Sequence, residues 1–406
     1  MLRLADGLLR HRFAVVALAA LAVVVTNLLV SGAPDDWWYF QEAARVLAGL
    51  DPRVRPWEFY AAHPGTWIGP LPLLVATPLA LLPNAVGGCT VAVLSGLALA
   101  GVAGLAEDCA AHVGVPVQRR RIAVVVGGCL AAPVWTEFCT TYTHPEDVAV
   151  VLLSAVGLRA LLHGRAVACG LAVGLAAGGK PWAVGLVALV LALPTWRGRL
   201  RGALAAGLAA GLPWLPFALA PGALRAVSSS TALVFTGTPL GLAGWAGEAY
   251  PSTARLTQFA LALVVVLALA TVARRPALGL YACVAARLAL EPQVLDYHWA
   301  SLAGAAVVAD AVAGRRTPAF SLAVFSAYQV SRNVAPGTEW LSAGGQLVPL
   351  LVVLVVLLRA PRHPAGRARW SPPAATVTNA AAAVPRPRAA ARFDGPRRRA
   401  PRFTRR

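Results

Sequence analysis

Two adjacent aspartates are the first residues along the chain that could act as a general base. Asp35 and Asp36 directly follow an apolar run, in the sequence G-A-P-D-D-W-W-Y-F. Ionisable groups at a membrane edge are costly and often functional, although a solvated turn after Pro34 would also explain them. Neighbouring side chains point in different directions, so with a helix just beyond Asp36 we favour Asp35 as the N-cap and Asp36 as the base, and the shared or reversed assignment stays an alternative.

A second polar group is the sequence T-H-P-E-D, residues 143–147. Thr143 and Glu146 have the spacing of a capping box, with Pro145 near the first helical position, so a purely structural role explains part of the pattern. That role does not explain His144 or Asp147. We therefore predict that His144, Glu146 and Asp147 also bind substrate.

Two cations accompany these carboxylates. Lys180, in G-G-K-P-W, is the only lysine among 36 basic residues, which suggests that a compact point charge is needed there. The alternative is an anchor that extends to the membrane surface beside Trp182. Arg287 lies in an apolar run and either pairs with Glu291 four residues later or receives a phosphate. The remaining substrate-binding candidates open the next apolar run: Asp296, Tyr297 and His298.

A metal site has weak support in the sequence. His63, His144 and His298 would offer ligands together with carboxylates if they converged, but no H-E-x-x-H or C-x-x-C spacing is present. The chain also lacks a P-loop and a dinucleotide-binding motif. We predict no cofactor, and a divalent cation stays an open alternative.

The elements that must position these residues are membrane-spanning helices. Hydrophobic residues make up 58% of the chain and charged residues 13%, with a mean hydropathy of +0.65, whereas soluble domains have about 45–50% and about 25%. This composition excludes a soluble protein and predicts an all-α polytopic membrane protein. The twelve predicted spans are 13–31, 85–106, 122–138, 147–162, 166–179, 182–196, 202–219, 256–273, 276–290, 298–313, 317–331 and 340–358.

The proline-rich segment 64–83 decides the orientation. It contains five prolines, which disfavour a regular helix, so we interpret it as a re-entrant or interfacial segment on the outer side. The arginine clusters then all lie in cytoplasmic loops, and both termini are cytoplasmic. The candidate residues share the outer face, where the first loop covers 32–84 and residues 37–49 are predicted to form an interfacial helix.

The carboxyl-terminal tail carries most of the excess charge. Residues 359–406 hold 13 of the 36 basic residues and one of the 17 acids, so the net charge of +19 does not indicate a nucleic-acid partner. The composition, rich in Pro, Ala and Arg, predicts a disordered cytoplasmic tail behind an integral-membrane domain of residues 1–358. Its arginines either attract anionic membrane lipids or have no dedicated role.

The order of these motifs resembles the GT-C superfamily of integral-membrane glycosyltransferases. More narrowly, it is similar to the actinobacterial mannosyltransferases that use polyprenol-phosphate mannose. The resemblance covers roughly residues 10–360 and consists of the Asp pair, H-P-G-T-W-I-G-P-L-P-L-L, T-H-P-E-D, A-A-G-G-K-P-W and D-Y-H-W. It implies a catalytic aspartate at Asp36 or Asp35, a second polar site at residues 143–147, and a cation at Lys180.

The resemblance implies transfer of a sugar, with mannose favoured, from a polyprenyl-phosphate donor to a cell-envelope glycolipid or glycan on the outer face. Because phosphate is a good leaving group, one carboxylate base is enough, whereas glycosidases need two carboxyl groups. Lys180 and Arg287 would stabilise the departing phosphate. The alternatives are an inactive GT-C-like membrane protein and a transporter or flippase, for which the inverted repeats are missing.

Overall fold

A computed structural model describes residues 7–359 except 35, 67, 224, 225, 227–230, 252–254 and 336. Asp35 and the predicted disordered tail beyond Arg359 therefore lie outside the described residues. The α-helices are α1 Arg12–Ser31, α2 Trp37–Leu47, α3 Phe59–Ala62, α4 Pro70–Ala80, α5 Asn84–His112, α6 Val117–Trp135, α7 Pro145–Leu162, α8 Ala166–Gly179, α9 Trp196–Gly211, α10 Leu215–Ala218, α11 Arg255–Thr271, α12 Gly279–Ala289, α13 Asp296–Ala313, α14 Ala319–Arg332 and α15 Glu339–Leu358.

The remaining elements are short. The 3₁₀ helices are Pro56–Glu58, Thr136–Phe138, Pro181–Ala192, Leu212–Trp214 and Pro276–Leu278, and Gly241–Trp245 forms a π-helical turn. Strands β1 Thr231–Leu233 and β2 Ala249–Pro251 pair antiparallel, with Ala232 opposite Tyr250. The all-α class predicted from the sequence is confirmed, and the strands of the described residues form a small hairpin between α10 and α11.

Each of the twelve predicted spans overlaps one or more helical segments, and the span 202–219 is divided among α9, a 3₁₀ turn and α10. Within the described part of the chain, four helices are both long and apolar enough to cross a membrane: α1, α5, α6 with its 3₁₀ extension, and α15. Several others are apolar but shorter, for example α8 with 14 residues and α11 with 17. The structure thus supports a helical membrane protein, and twelve complete spans stay a prediction.

The proline-rich segment forms the short helix α4. Pro70 begins α4, where a missing backbone donor does no harm. Its 11 residues extend about 16 Å, too little for a hydrocarbon core of about 30 Å. Gly69 fixes the start of α4, because its N–H donates to the carbonyl of Gly179 at 2.8 Å and a Cβ at Gly69 would overlap the carbonyl of Gly178. This contact packs the segment against the residues that immediately precede Lys180.

The first predicted outer loop has a hydrophobic cluster of its own. Helix α2 forms as expected, and it buries Trp37 and Phe40 against Phe59, Tyr60 and Phe217. A much larger cluster connects the long helices. The predicted flat position of α2 at the membrane interface stays a prediction, and its buried face shows that it also packs against protein.

Charged contacts distinguish the two ends of α7. Near its carboxyl end, Arg159 pairs with Asp108, and the neighbouring Glu107 pairs with Arg12 and with Arg120. Its first turn carries Glu146 and Asp147, which belong to a different set of contacts. The ion pair of Arg159 and the carboxylates of the T-H-P-E-D sequence therefore lie at opposite ends of one helix.

Candidate functional site

The site is built around the first turn of α7. Pro145 is the first residue of the helix, as predicted, but the N-cap is His144 and no side chain caps the helix. The predicted capping box is wrong. Thr143 has a φ of 42°, unusual for a β-branched residue, and its buried hydroxyl has no hydrogen-bond partner among the described residues. Glu146 instead binds His144 and Lys180, because a buried carboxylate is stabilised more by a cation than by a backbone amide.

Lys180 lies between the two carboxylates of this turn. Its Nζ is 2.9 Å from Glu146 Oε1 and 3.3 Å from Asp147 Oδ2, and His144 Nδ1 is 2.7 Å from the same Glu146 oxygen. Burial alone would lower the pKa of Lys180, but Asp147 and Glu146 outweigh it and hold that pKa above its usual value. Lys180 is only 6% exposed, so the interpretation as a snorkelling anchor is wrong.

Arg287 extends the ion pairs from α7 to α12. Its Nη1 is 3.5 Å from Asp147 Oδ1 and its Nε is 3.4 Å from Glu291 Oε2, which confirms the i, i+4 pair expected from the sequence. The guanidinium carbon lies 5.2 Å from the ring centroid of Trp182, whose Nε1 donates to Asp147 Oδ1 at 2.8 Å. Asp147 thus connects Lys180, Arg287 and Trp182.

Two residues at the start of α11 complete the ion-pair cluster, and sequence reasoning missed both. Arg255 Nη1 is 3.2 Å from Glu291 Oε1. Gln258 Nε2 donates to the carbonyl of Arg287 at 2.8 Å and to Glu291 Oε2 at 3.2 Å. Their three-residue spacing places them on one helix face, but such a pair is too common to single out in a sequence.

Aromatic rings in tilted contact form the wall beside the ion-pair cluster. Tyr297 lies between His144 at 3.9 Å and His298 at 4.1 Å, and Tyr142 is 5.3 Å from Tyr297, measured between ring centroids. The backbone N–H of Leu295 donates to His298 Nδ1 at 3.0 Å, so the proton of the neutral imidazole is on Nε2. The D-Y-H-W sequence therefore contributes Tyr297 and His298 to the site.

Asp296 and Asp36 belong to a second polar group, on the other side of Tyr142. Burial raises the pKa of Tyr142, and the nearby carboxylates of Asp296, Glu137 and Asp36 raise it further. Glu137 accepts a hydrogen bond from the Tyr328 hydroxyl at 2.6 Å and pairs with Arg332 at 3.1 Å. Asp296, a predicted substrate-binding residue, therefore belongs to this second group rather than to the ion-pair cluster around Lys180, and the Tyr142–Tyr297 contact connects the two groups.

The position of Asp36 corrects one expectation. The N-cap of α2 is Asp36 and not Asp35, and the Asp36 side chain makes no capping hydrogen bond. The reason is that α2 begins at Trp37, directly after Asp36, whereas Asp35 would be the N-cap only if the helix began one residue earlier, at Asp36. Asp36 is half-buried, and its carboxylate acts electrostatically on the Tyr142 hydroxyl.

A cavity of about 300 Å³ opens on the ion-pair cluster. Three cations of the described chain line it: Lys180, Arg255 and Arg287. Tyr297 and His298 form part of the wall, and Gly65 of the H-P-G-T sequence lies at the edge. The volume is at the lower end of the range of about 300–1,000 Å³ that small-molecule sites usually have.

The metal-ligand geometry is confined to one group. Over the described ranges, His144, Glu146 and Asp147 are the residues whose ligand atoms all lie within 4.8 Å of one another. His63 and His298, which the sequence offered as further ligands if the three histidines converged, are not part of this group, and His63 instead stacks on Phe59 at 4.6 Å. The ammonium of Lys180 already contacts both carboxylates, so these residues suit a buried ammonium better than a divalent cation.

No known protein family, curated protein or solved structure matches the chain. The fold and the site together define a helical membrane protein with a buried ion-pair cluster beside a polar cavity.

Proposed function

We propose that the protein transfers a sugar, with mannose favoured, from a polyprenyl-phosphate donor to a cell-envelope glycolipid or glycan acceptor. The supporting observation is the cavity on which Lys180, Arg255 and Arg287 converge. Arg287 Nη1 is buried and, within the part of the chain that is described, has no hydrogen-bond partner. A buried donor without an acceptor costs about 1–3 kcal/mol, and a phosphate oxygen would satisfy it.

A phosphate can bind to the ion-pair cluster and weaken few of its existing contacts. Three cations face three carboxylates: Lys180, Arg255 and Arg287 against Glu146, Asp147 and Glu291. The contacts of Arg287 are the long ones, at 3.4 and 3.5 Å. A phosphate oxygen that approaches Arg287 therefore competes with weak interactions, because charge-assisted hydrogen bonds are normally about 2.7–2.9 Å.

The mechanism needs one base and one set of cations. Asp36 takes the proton from the acceptor hydroxyl as the hydroxyl oxygen attacks the anomeric carbon of the donor. The bond from that carbon to the phosphate oxygen breaks, and the phosphate leaves with the bonding electrons. Its charge develops toward Lys180 and Arg287, where fixed cations stabilise it without reorganisation.

A transfer assay, with one arginine variant in the cavity and one control variant outside it, tests this function. In membranes that contain the full chain, labelled polyprenyl-phosphate mannose and extracted envelope acceptors, we expect transfer of the label. Arg255→Gln should raise the donor KM about 10- to 100-fold, the equivalent of one hydrogen bond to a charged group. Arg45→Gln is the control, because Arg45 is exposed on α2. Transfer from none of the labelled polyprenyl-phosphate sugars would contradict the proposal and favour the inactive alternative.

The proposed orientation is a cell-membrane protein with the arginine loops and both termini in the cytoplasm and the site outside. It is supported by the position of Arg159 and Glu146 at opposite ends of α7. Residues 143–147 are largely buried and would label poorly, whereas Thr141 and Gln118 are exposed.

Cysteine labelling tests this orientation. With a membrane-impermeant thiol reagent applied to intact cells, Thr141→Cys should react and Gln118→Cys should react only after permeabilisation. The native chain measures the background from its own cysteines. Reaction of both variants from the same side would rule out the grouping of the candidate residues on the outer face.

A further inference from the structure

A second cavity lies at the other end of the helices, where α8 and α9 begin. Its volume is about 780 Å³, and its lining includes Arg165, Arg197 and Arg201 together with Trp196. All three arginines are exposed, and none of them forms an ion pair with a described residue. Arg12 and Arg159, by contrast, are paired with carboxylates. The cavity therefore carries a local positive charge that the described protein does not neutralise.

The backbone adds to this charge. Ala166 is the first residue of α8 and Trp196 the first of α9, and both line the cavity. The amino-terminal end of a helix is the positive end of its dipole and presents backbone N–H groups that are not used within the helix. At the start of α9 the Thr195 hydroxyl already accepts from the N–H of Gly198 at 3.0 Å. The remaining N–H groups of the two ends, beside three arginines, make a site for an anion with several oxygens, such as a phosphate.

The helices that form the cavity are held rigidly together. A Cβ on Gly170 of α8 would overlap the carbonyl of Gly202 on α9, and a Cβ on Gly174 would overlap Ala206. Such close backbone contact fixes the positions of both helix ends. The arginines consequently extend from a preformed frame rather than from a loose loop.

An apolar surface leads away from the cavity along α9. Leu200, Leu204 and Leu208 follow one another at four-residue spacing on one side of the helix, with 47, 59 and 58% of their surface exposed. Trp196, at the start of this row, is 73% exposed. A tryptophan at a helix end beside basic residues is typical of the interface between headgroups and acyl chains.

We propose that the cavity binds the phosphodiester headgroup of an anionic phospholipid, with an acyl chain along the exposed leucines of α9. The arginines and helix ends account for the phosphate, and the adjoining apolar row accounts for the lipid as its source rather than free phosphate. Basic pockets between membrane helices bind lipid headgroups in this way. The proposal concerns a site separate from the ion-pair cluster and does not depend on sugar transfer.

Two double variants that each remove two arginines distinguish binding in this cavity from general attraction to anionic lipids. The full chain is purified in neutral detergent and mixed with micelles that contain labelled phosphatidylglycerol or phosphatidylcholine, and the bound lipid per chain is titrated. The Arg197→Gln/Arg201→Gln variant removes two cavity arginines. The control, Arg315→Gln/Arg316→Gln, removes two exposed arginines that do not line the cavity.

We expect phosphatidylglycerol to bind in preference to phosphatidylcholine. The cavity variant should weaken that binding roughly 25-fold, about fivefold for each arginine, and the control variant should not change it by more than about twofold. Equal weakening in both variants, or equal binding of the two lipids, would overturn the proposal. Displacement of the lipid by an equal concentration of inorganic phosphate would assign the cavity to free phosphate and overturn it as well.

Discussion

Replacement of Asp36 by Asn is expected to reduce sugar transfer by about 10²- to 10⁴-fold, the usual loss when a general base is removed. Asn has nearly the same shape but cannot accept the proton of the acceptor hydroxyl. The Asp36 side chain makes no capping hydrogen bond to α2, so the substitution should leave the helix intact. The measurement is the rate of label transfer at saturating donor, with membrane insertion checked by the amount of protein in the membrane fraction.

The control for Asp36 is Asp51→Asn, which makes the same chemical change within the first predicted outer loop. Asp51 accepts a local hydrogen bond from the N–H of Arg53 at 2.7 Å, so it should keep full activity. Loss of transfer in Asp35→Asn alone would keep the mechanism and move the base to Asp35. Full activity in both Asp35→Asn and Asp36→Asn would contradict the base mechanism.

The Asp296→Asn variant is a second comparison for Asp36→Asn in the transfer assay. Burial raises the pKa of Asp296, and Glu137 raises it further, which makes it a stronger base than an ordinary aspartate. Asp296 and Asp36 both act on Tyr142. A larger loss in Asp296→Asn than in Asp36→Asn would assign the proton transfer to the start of α13.

The sequence predicts the helices well because apolar runs of suitable length leave few alternatives in this composition. It also identifies most of the ion-pair cluster, since Glu146, Lys180 and Arg287 each lie at a helix end where a buried charge is conspicuous. It fails for Arg255 and Gln258, which join the cluster only through tertiary contacts across α11 and α12.

The capping-box rule fails at Thr143 because a tertiary contact gives Glu146 a different partner. The T-x-x-E spacing describes an isolated helix end, where the carboxylate has nothing better to bind than the backbone. In the folded chain Lys180 supplies a cation at 2.9 Å, and Thr143 adopts a positive φ. Departures of this kind from local preference concentrate at functional sites, and here the departure adjoins the ion pairs that Glu146 and Asp147 form in the first turn of α7.

Lys180→Ala is expected to destabilise the protein by about 3–5 kcal/mol, because it leaves buried carboxylates without their cation. Glu146 and Asp147 are both fully enclosed and both contact Lys180. The measurement is the free energy of unfolding of the full chain in detergent. Unchanged stability would contradict the ion-pair geometry.

A charge-balanced variant separates the structural role of Lys180 from its proposed role in donor binding. Lys180→Met/Glu146→Gln removes one cation and one carboxylate together, and such replacement of a buried pair is often neutral. Asp147 keeps its contacts to Arg287 and Trp182, so most of the lost stability should return. If Lys180 also binds the donor phosphate, the stable double variant should still show a donor KM raised about 10- to 100-fold. A normal KM in the stable double variant would leave Lys180 with a structural role alone, and would leave Arg255 and Arg287 as the cations that contact the donor.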